Sequence, residues 1–222
     1  MPEILYSDDD IAVVRKPAGV VCEHTVENDG LVDLLDKMFP NEHFYVVHRL
    51  DSPTVGVMVY AKNSAVAASL SDAFANGRVK KEYFAVTCGQ PPESCGELFD
   101  LLYYDKRVGK SFPVRRQRKG VKDARLEYFL RSCVDTDDGS LSLLTVRLYT
   151  GRTHQIRVQF ASRRMPLYAD RKYGGRGDGA LGLFCAVLEF DHPKSGKHMR
   201  FECAPDDDTP WSLFSIGGDK QQ

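Results

Sequence analysis

The sequence lacks long hydrophobic segments. No stretch approaches the roughly 20 consecutive apolar residues that a transmembrane helix needs. The N-terminus, Met1-Pro2-Glu3-Ile4, has no basic start followed by an apolar run, so no secretory signal is visible. We therefore expect a cytoplasmic protein that does not bind a membrane.

Closely spaced cysteine pairs are also missing. Structural zinc sites usually draw ligands from C-x-x-C pairs, and the sequence contains none. We therefore expect no metal, and the better interpretation of the thiols is small core residues in a reducing compartment. The six cysteines are Cys22, Cys88, Cys95, Cys133, Cys185 and Cys203.

The chain has almost no net charge, but its basic residues are unevenly placed. Segment 106–125 holds nine basic residues and one acidic residue, a net +8, so the rest of the chain carries −9 against a total of −1. A local basic segment on an acidic body is typical of phosphate contact at one place. The alternative is a solvated loop, and charge alone does not decide between the two.

Strand patterns outnumber helical ones, and short turns join many of them. This favours an α+β fold with a large mixed, mainly antiparallel β-sheet flanked by helices and loops. No linker is evident, so we expect one catalytic domain over 1–216 and a loose tail over 217–222. Helices are predicted over 31–39, from an Asn63 cap to Gly77, and from a Thr153 cap to Ala161. Segment 106–125 is predicted to be an extended loop or hairpin.

Residues 48–56 place Asp51 on a turn just before a buried strand, beside His48 and Arg49. A polar loop held by a rigid strand is a good place for a catalytic group. The residue pattern by itself leaves a structural alternative, in which Asp51 makes the turn or a salt bridge.

The order of several motifs along the chain bears on whether Asp51 is catalytic or structural. Residues 48–62 resemble the H-R-L-D-x-x-T-S-G…A-K signature of the RluA-type pseudouridine synthases. Other segments resemble further motifs of that family in the same order along the chain: 16–19, 81–86, 150–158, the set Pro166, Asp170, Tyr173 and Gly174, and 192–196.

The resemblance implies the pseudouridine synthase fold and an RNA isomerase that converts uridines of rRNA or tRNA. It implies that Asp51 is the catalytic nucleophile, that Tyr83 stacks on the target base, and that Arg157 pairs with the catalytic carboxylate. The reaction breaks the C1′–N1 bond, turns the base and joins C1′ to C5, so it requires no cofactor. A carboxylate can serve as nucleophile or remove a sugar proton, and a cation keeps it ionised in a dry site.

Each of these residues also has a structural alternative. Tyr83 could be an aromatic that packs in the sheet, and Arg157 a surface helix residue. We interpret His154, which carries no catalytic role here, as a satisfied core or helix histidine. Arg49 could contact RNA or merely brace its loop, and we favour RNA contact. The other predicted RNA-binding residues are Arg115, Arg116, Arg118 and Lys119.

The sequence departs from the family pattern in places. Val55 stands where serine is usual, Pro53 stiffens the catalytic loop, and Gln159 replaces a usual histidine. Arg164 and Ala169 occupy usual glycine positions. These changes leave Asp51 in place and bear on substrate choice more than on chemistry.

Relatives often carry a small RNA-binding domain ahead of the catalytic one. Here the first predicted strand begins near residue 3, so we expect no such domain, and 106–125 is the predicted RNA clamp. We expect RNA as the partner, no obligate protein partner and a monomer. The alternatives to this function are a catalytically silent RNA-binding module on the same fold and a glycoside hydrolase, which would need a second carboxylate that the sequence does not offer.

Overall fold

The computed structural model describes residues 2–26 and 29–216. The chain divides into two compact units, each built from two segments. The first consists of Met1–Lys81 and Cys185–Cys203, and the second of Glu82–Phe184 and Ala204–Gln222. The single domain over 1–216 stays a prediction, and the tail over 217–222 lies outside the described residues.

The first unit is a sheet with two helices. Its strands are β1 (Glu3–Ser7), β2 (Ile11–Lys16), β3 (Tyr45–Val46), β4 (Val55–Ala61), β10 (Leu183–Asp191, from Cys185 onward) and β11 (His198–Glu202). The pairs β1–β2, β2–β4, β3–β4 and β10–β11 are antiparallel, and β10 lies next to β4.

The helices of this unit are α1 (Leu31–Met38) and α2 (Ser64–Ala75). The side chain of Asn63 accepts a hydrogen bond from the backbone N–H of Val66, which confirms the predicted cap. Val66 and Leu70 lie one helical turn apart and are buried against Ile11 and Val59 of β2 and β4. This apolar face fixes α2 on the sheet that carries the turn at residue 51.

The second unit is an antiparallel sheet with one α-helix. Its strands are β5 (Lys80–Cys88, from Glu82 onward), β6 (Cys95–Asp105), β7 (Lys110–Val114), β8 (Val121–Thr136) and β9 (Gly139–Leu148), in the order β5-β9-β8-β6-β7. Helix α3 (Gln155–Ala161) packs through Val158 on Leu102 and Ala124, and a 3₁₀ helix spans Trp211–Leu213.

The predicted α+β class and the mainly antiparallel pairing are confirmed. Segment 106–125 supplies the turn and the second strand, β7, of a hairpin with β6, and continues through a loop over 115–120 into the start of β8. None of the helices found within 2–26 and 29–216 has the length and apolar character needed to cross a membrane.

The predicted Thr153 cap on α3 is wrong. The residue before the helix is His154, which adopts a left-handed conformation with φ of 56°. Thr153 instead uses its carbonyl oxygen to accept a hydrogen bond from Ser111 Oγ at 2.6 Å. The side-chain oxygen of Gln155 accepts hydrogen bonds from the Arg152 N–H at 3.0 Å and from the Thr150 hydroxyl. The first residue of α3 therefore fixes the segment that precedes the helix.

Candidate active site

Asp51 lies on the turn that leads into β4. The backbone N–H of Thr54 donates to the carbonyl oxygen of Asp51 at 2.9 Å, which closes the turn. The N–H of Gly19 donates to the carbonyl oxygen of Ser52 at 2.9 Å, so a second loop holds this turn from the side. Asp51 itself is half-buried.

Lys16 fastens these two loops together. Its side chain is 0% exposed, and Nζ donates to the carbonyl oxygens of Pro17 at 2.9 Å, Val20 at 2.7 Å and Ser52 at 2.9 Å. All three hydrogens of the ammonium are therefore used. Burial lowers the pKa of Lys16 to about 8, and the nearby Asp51 carboxylate opposes this shift. The motif at 16–19 predicted a turn but did not reveal this cross-link to the Asp51 loop.

We expect activity to fall as pH rises through about 8, because a neutral Lys16 amine has two hydrogens for three carbonyl oxygens. An unfolded lysine has a pKa near 10.5, so the folded state binds fewer protons between about pH 8 and 10.5. Lys16 therefore makes the fold more stable relative to the unfolded chain as pH rises through that window. The signature is thus a decline in kcat/KM without a loss of thermal stability.

The measurement is a pH profile of kcat/KM beside a titration of the Lys16 side-chain nitrogen by NMR. Lys16→Arg, which stays charged, should keep its remaining activity to higher pH. Activity that stays flat while the Lys16 signal titrates would contradict the role we assign to this ammonium.

His48 anchors the same segment to the sheet. Its Nε2 accepts a hydrogen bond from the Val59 N–H at 3.1 Å, and its ring stacks on Phe74 with centroids 4.4 Å apart. Burial, with a further contribution from Lys81, lowers the pKa of His48 well below its usual value, so the ring is neutral. His48 therefore positions the turn, and its neutral ring offers no positive charge to an RNA phosphate.

The structure explains why glycine occupies position 56 of the motif. Its φ is +132°, and a Cβ there would lie 2.2 Å from the carbonyl oxygen of Cys185 on β10. Only glycine fits this close approach. Arg49, between two buried residues, is exposed, and its predicted contact with RNA stays a prediction.

Arg157 is buried in the second unit, so the surface alternative for it is wrong. It is 5% exposed, and its Nε and one terminal nitrogen donate to the two carboxylate oxygens of Asp170, each at 2.8 Å. The guanidinium also lies 5.3 Å from the ring centroid of Tyr173. A bidentate partner and an aromatic face fix the orientation of Arg157. Its pairing with Asp51 stays a prediction.

Asp170 and Tyr173 were matched to family motifs but received no role from the sequence. Asp170 is buried, and besides Arg157 it accepts a hydrogen bond from the Tyr173 N–H at 3.3 Å. His154 Nδ1 lies 2.9 Å from the Tyr173 hydroxyl, in keeping with the structural alternative for this histidine. Because Arg157 and Asp170 are thirteen residues apart, the sequence did not predict their contact.

Tyr83 lies on β5, where it pairs with Val146 of β9, and it is 4% exposed. Both the stacking role and the sheet-packing alternative remain predictions. Of the predicted RNA-binding residues, four lie together on the exposed loop between β7 and β8: Arg115, Arg116, Arg118 and Lys119.

Asp8, Asp10 and His192 form a group with metal-ligand spacing within the described part of the chain. His192 Nδ1 accepts hydrogen bonds from the N–H groups of Lys194 and Ser195, at 3.3 and 3.2 Å. The ring hydrogen is therefore on Nε2, which lies 3.0 Å from Asp8. Both ring nitrogens of His192 are thus engaged in hydrogen bonds, and the absence of a metal stays a prediction. A second such group, His24, Asp29 and Asp33, is largely exposed.

Comparisons with known proteins show which family this chain resembles. A family model described as "RNA pseudouridylate synthase" matches residues 10–162. An "Uncharacterized RNA pseudouridine synthase" from Aquifex aeolicus is 34% identical over 90% of this chain and 68% of its own length. A "tRNA pseudouridine synthase C" from Haemophilus ducreyi is 30% identical over 87% of this chain and 86% of its own length.

A solved structure has the same fold. "Human RNA Pseudouridylate Synthase Domain Containing 1" superimposes with a TM-score of 0.77 at 24% identity, covering 93% of this chain and 84% of that chain. The predicted fold is therefore confirmed.

Proposed function

Because this chain belongs to the RNA pseudouridylate synthase family, we propose that it isomerises uridine in RNA with Asp51 as the catalytic nucleophile. The single observation that carries the assignment of Asp51 is its setting: a half-buried carboxylate on a turn held by Lys16. A half-buried carboxylate on a turn whose backbone is fixed suits attack on a nucleotide better than it suits turn formation alone.

The chemistry needs few groups. The bond between C1′ and N1 breaks, the base turns, C1′ joins C5, and the proton on C5 leaves while N1 gains one. Atoms and electrons balance without an added reactant, so no cofactor is invoked. Asp51 can open this sequence as nucleophile or by removing a sugar proton.

Arg157 is proposed as the cation that keeps the catalytic carboxylate ionised. Its support is the motif match together with its burial and the rigid mounting on Asp170. A guanidinium that cannot turn away loses little entropy when it meets an anion. Tyr83 is proposed as the stacking residue for the target base on the motif match alone.

The RNA is proposed to be rRNA or tRNA. Pseudouridine mapping in total RNA from cells with and without the gene tests this. Complementation with the wild-type gene should restore one or a few lost sites, while Asp51→Asn should not. Identical maps with and without the gene would refute the function, and the RNA that holds a lost site names the target.

Loop 115–120 is proposed as part of the RNA clamp. Changing Arg115, Arg116 and Arg118 together to Gln should weaken RNA binding, because each phosphate contact releases counterions. We expect the slope of log K against log salt to become shallower by about 2, at about 0.7 per contact on single strands.

Three exposed basic residues elsewhere provide the control: Lys37, Arg171 and Lys197. Their combined change to Gln removes the same total charge and should leave the slope nearly unaltered. Equal slopes for both triple variants would show that loop 115–120 is no clamp, without bearing on Asp51.

A cytoplasmic location and a monomeric state complete the proposal. Both rest on the sequence, and gel filtration with light scattering at working concentration tests the second. A catalytically silent RNA-binding module would bind RNA through the same loop but form no pseudouridine in it.

A further inference from the structure

The hairpin β6–β7 has two faces with different surroundings in the second unit. On its inner face the backbone N–H of Ser111 donates to the Tyr173 hydroxyl at 2.8 Å, and Ser111 Oγ donates to the Thr153 carbonyl. Tyr104, its cross-strand partner, meets the His154 ring edge-on with centroids 6.2 Å apart. These contacts hold the hairpin firmly on the start of α3.

The outer face carries aromatic side chains. Tyr103 and Phe112 are direct cross-strand partners, and Leu101 pairs with Val114 on the same face. Phe99 lies on that face four residues before Tyr103. Phe112 is 40% exposed and Phe99 61% exposed. Phe99, Tyr103 and Phe112 are called the aromatic strip below.

Two cations lie against rings of the aromatic strip. The guanidinium of Arg118 lies 5.0 Å from the Tyr103 ring centroid, and Lys110 Nζ lies 5.9 Å from that of Phe112. Loop 115–120 continues from the end of β7, so its exposed guanidinium and ammonium groups follow the strip directly.

We propose that the aromatic strip binds unpaired bases of the RNA substrate, stacking them on Phe112 and on the Arg118–Tyr103 pair. Exposed aromatics between cations are how proteins hold single strands, since each base has a π-face and each linkage a phosphate. The inference rests on the proposed function, because it assumes an RNA substrate. It adds that the substrate is unpaired at the positions that reach the hairpin.

Charge favours RNA over a second copy docked through this same exposed face. Segment 106–125 carries +8. Two copies that met through this face would bring two such segments together, which electrostatic repulsion opposes. A polyanion with flat apolar bases satisfies both the charge and the aromatic strip.

The test measures binding of the full chain to an unpaired RNA of about a dozen nucleotides and to the same RNA annealed to its complement. Phe112→Ala should weaken binding of the unpaired RNA by about 5- to 150-fold and that of the duplex very little. Phe112→Trp keeps the ring and should bind like the wild type. Leu213→Ala, at a position with the same 40% exposure, is the matched control and should change neither affinity.

Unaltered binding of unpaired RNA by a folded Phe112→Ala overturns the inference. Equal losses for the unpaired and duplex RNA overturn it as well, since base stacking would then play no part. Failure here is separable from failure of the proposed function. If the protein forms pseudouridine but Phe112→Ala leaves RNA affinity unaltered, only the inference about the aromatic strip is refuted. If the protein forms no pseudouridine in any RNA, the proposed function is refuted.

Discussion

Replacement of Asp51 by Asn is expected to abolish pseudouridine formation while the protein stays folded and still binds RNA. Asn keeps the size of the side chain and removes its negative charge, so the attack or proton removal assigned to Asp51 is lost. The backbone contacts of the turn, from Thr54 to Asp51 and from Lys16 to Ser52, need no carboxylate. We expect a loss of at least about 10⁴-fold in kcat, the scale seen when an enzyme loses its nucleophile.

The measurement is single-turnover pseudouridine formation, alongside thermal unfolding and RNA affinity of the same variant. Asp9→Asn is the matched control, since it removes one carboxylate from the turn between β1 and β2. It should react at the wild-type rate. If Asp51→Asn reacts at a comparable rate, Asp51 is a turn residue and the nucleophile lies elsewhere.

Removal of the Asp170 carboxylate should cause the largest loss of stability. Asp170→Ala leaves the buried Arg157 guanidinium without its bidentate acceptor. Breaking a buried ion pair from one side costs about 3–5 kcal/mol, because the remaining charge stays desolvated. We expect the free energy of unfolding to fall by that amount, and activity to fall with it, since Arg157 loses its fixed orientation.

Asp178 offers a matched comparison within the same unit. It pairs with Arg171 at 3.2 Å, but both side chains are exposed. Asp178→Ala should cost no more than about 1 kcal/mol, as exposed ion pairs do. Urea unfolding of both variants provides the comparison, and a loss for Asp170→Ala no greater than that for Asp178→Ala would show that the buried pair does not hold the site.

The sequence predicted the elements whose pattern is local. Helix α2 has its cap at Asn63 and its apolar face at Val66 and Leu70, both visible as spacing along the chain. The strand 55–61 could be predicted as a short apolar run between turn residues. The hairpin was predicted only as a loop or hairpin, because glycine and charge mark its turns but not its pairing.

The parts that failed or were missed depend on tertiary contacts. Lys16 appeared in a motif, but its three carbonyl partners come from two loops separated in sequence. The burial of Arg157 follows from Asp170, thirteen residues further along the chain. His154, not Thr153, precedes the helix because its backbone is left-handed, a conformation that is uncommon in residues other than glycine and that local spacing does not reveal.

The exposed Phe112 was missed for another reason. Aromatic residues in strands usually pack inward, and alternation alone does not say which face of a hairpin meets solvent.

Release of tritium from RNA labelled at C5 of uridine tests the central claim most directly, because joining C1′ to C5 expels that hydrogen. Purified protein without added cofactor should release tritium from RNA that lacks its pseudouridines, up to a fixed number of sites per molecule, and Asp51→Asn should release none. No release from either rRNA or tRNA, or equal release by Asp51→Asn, would contradict the account.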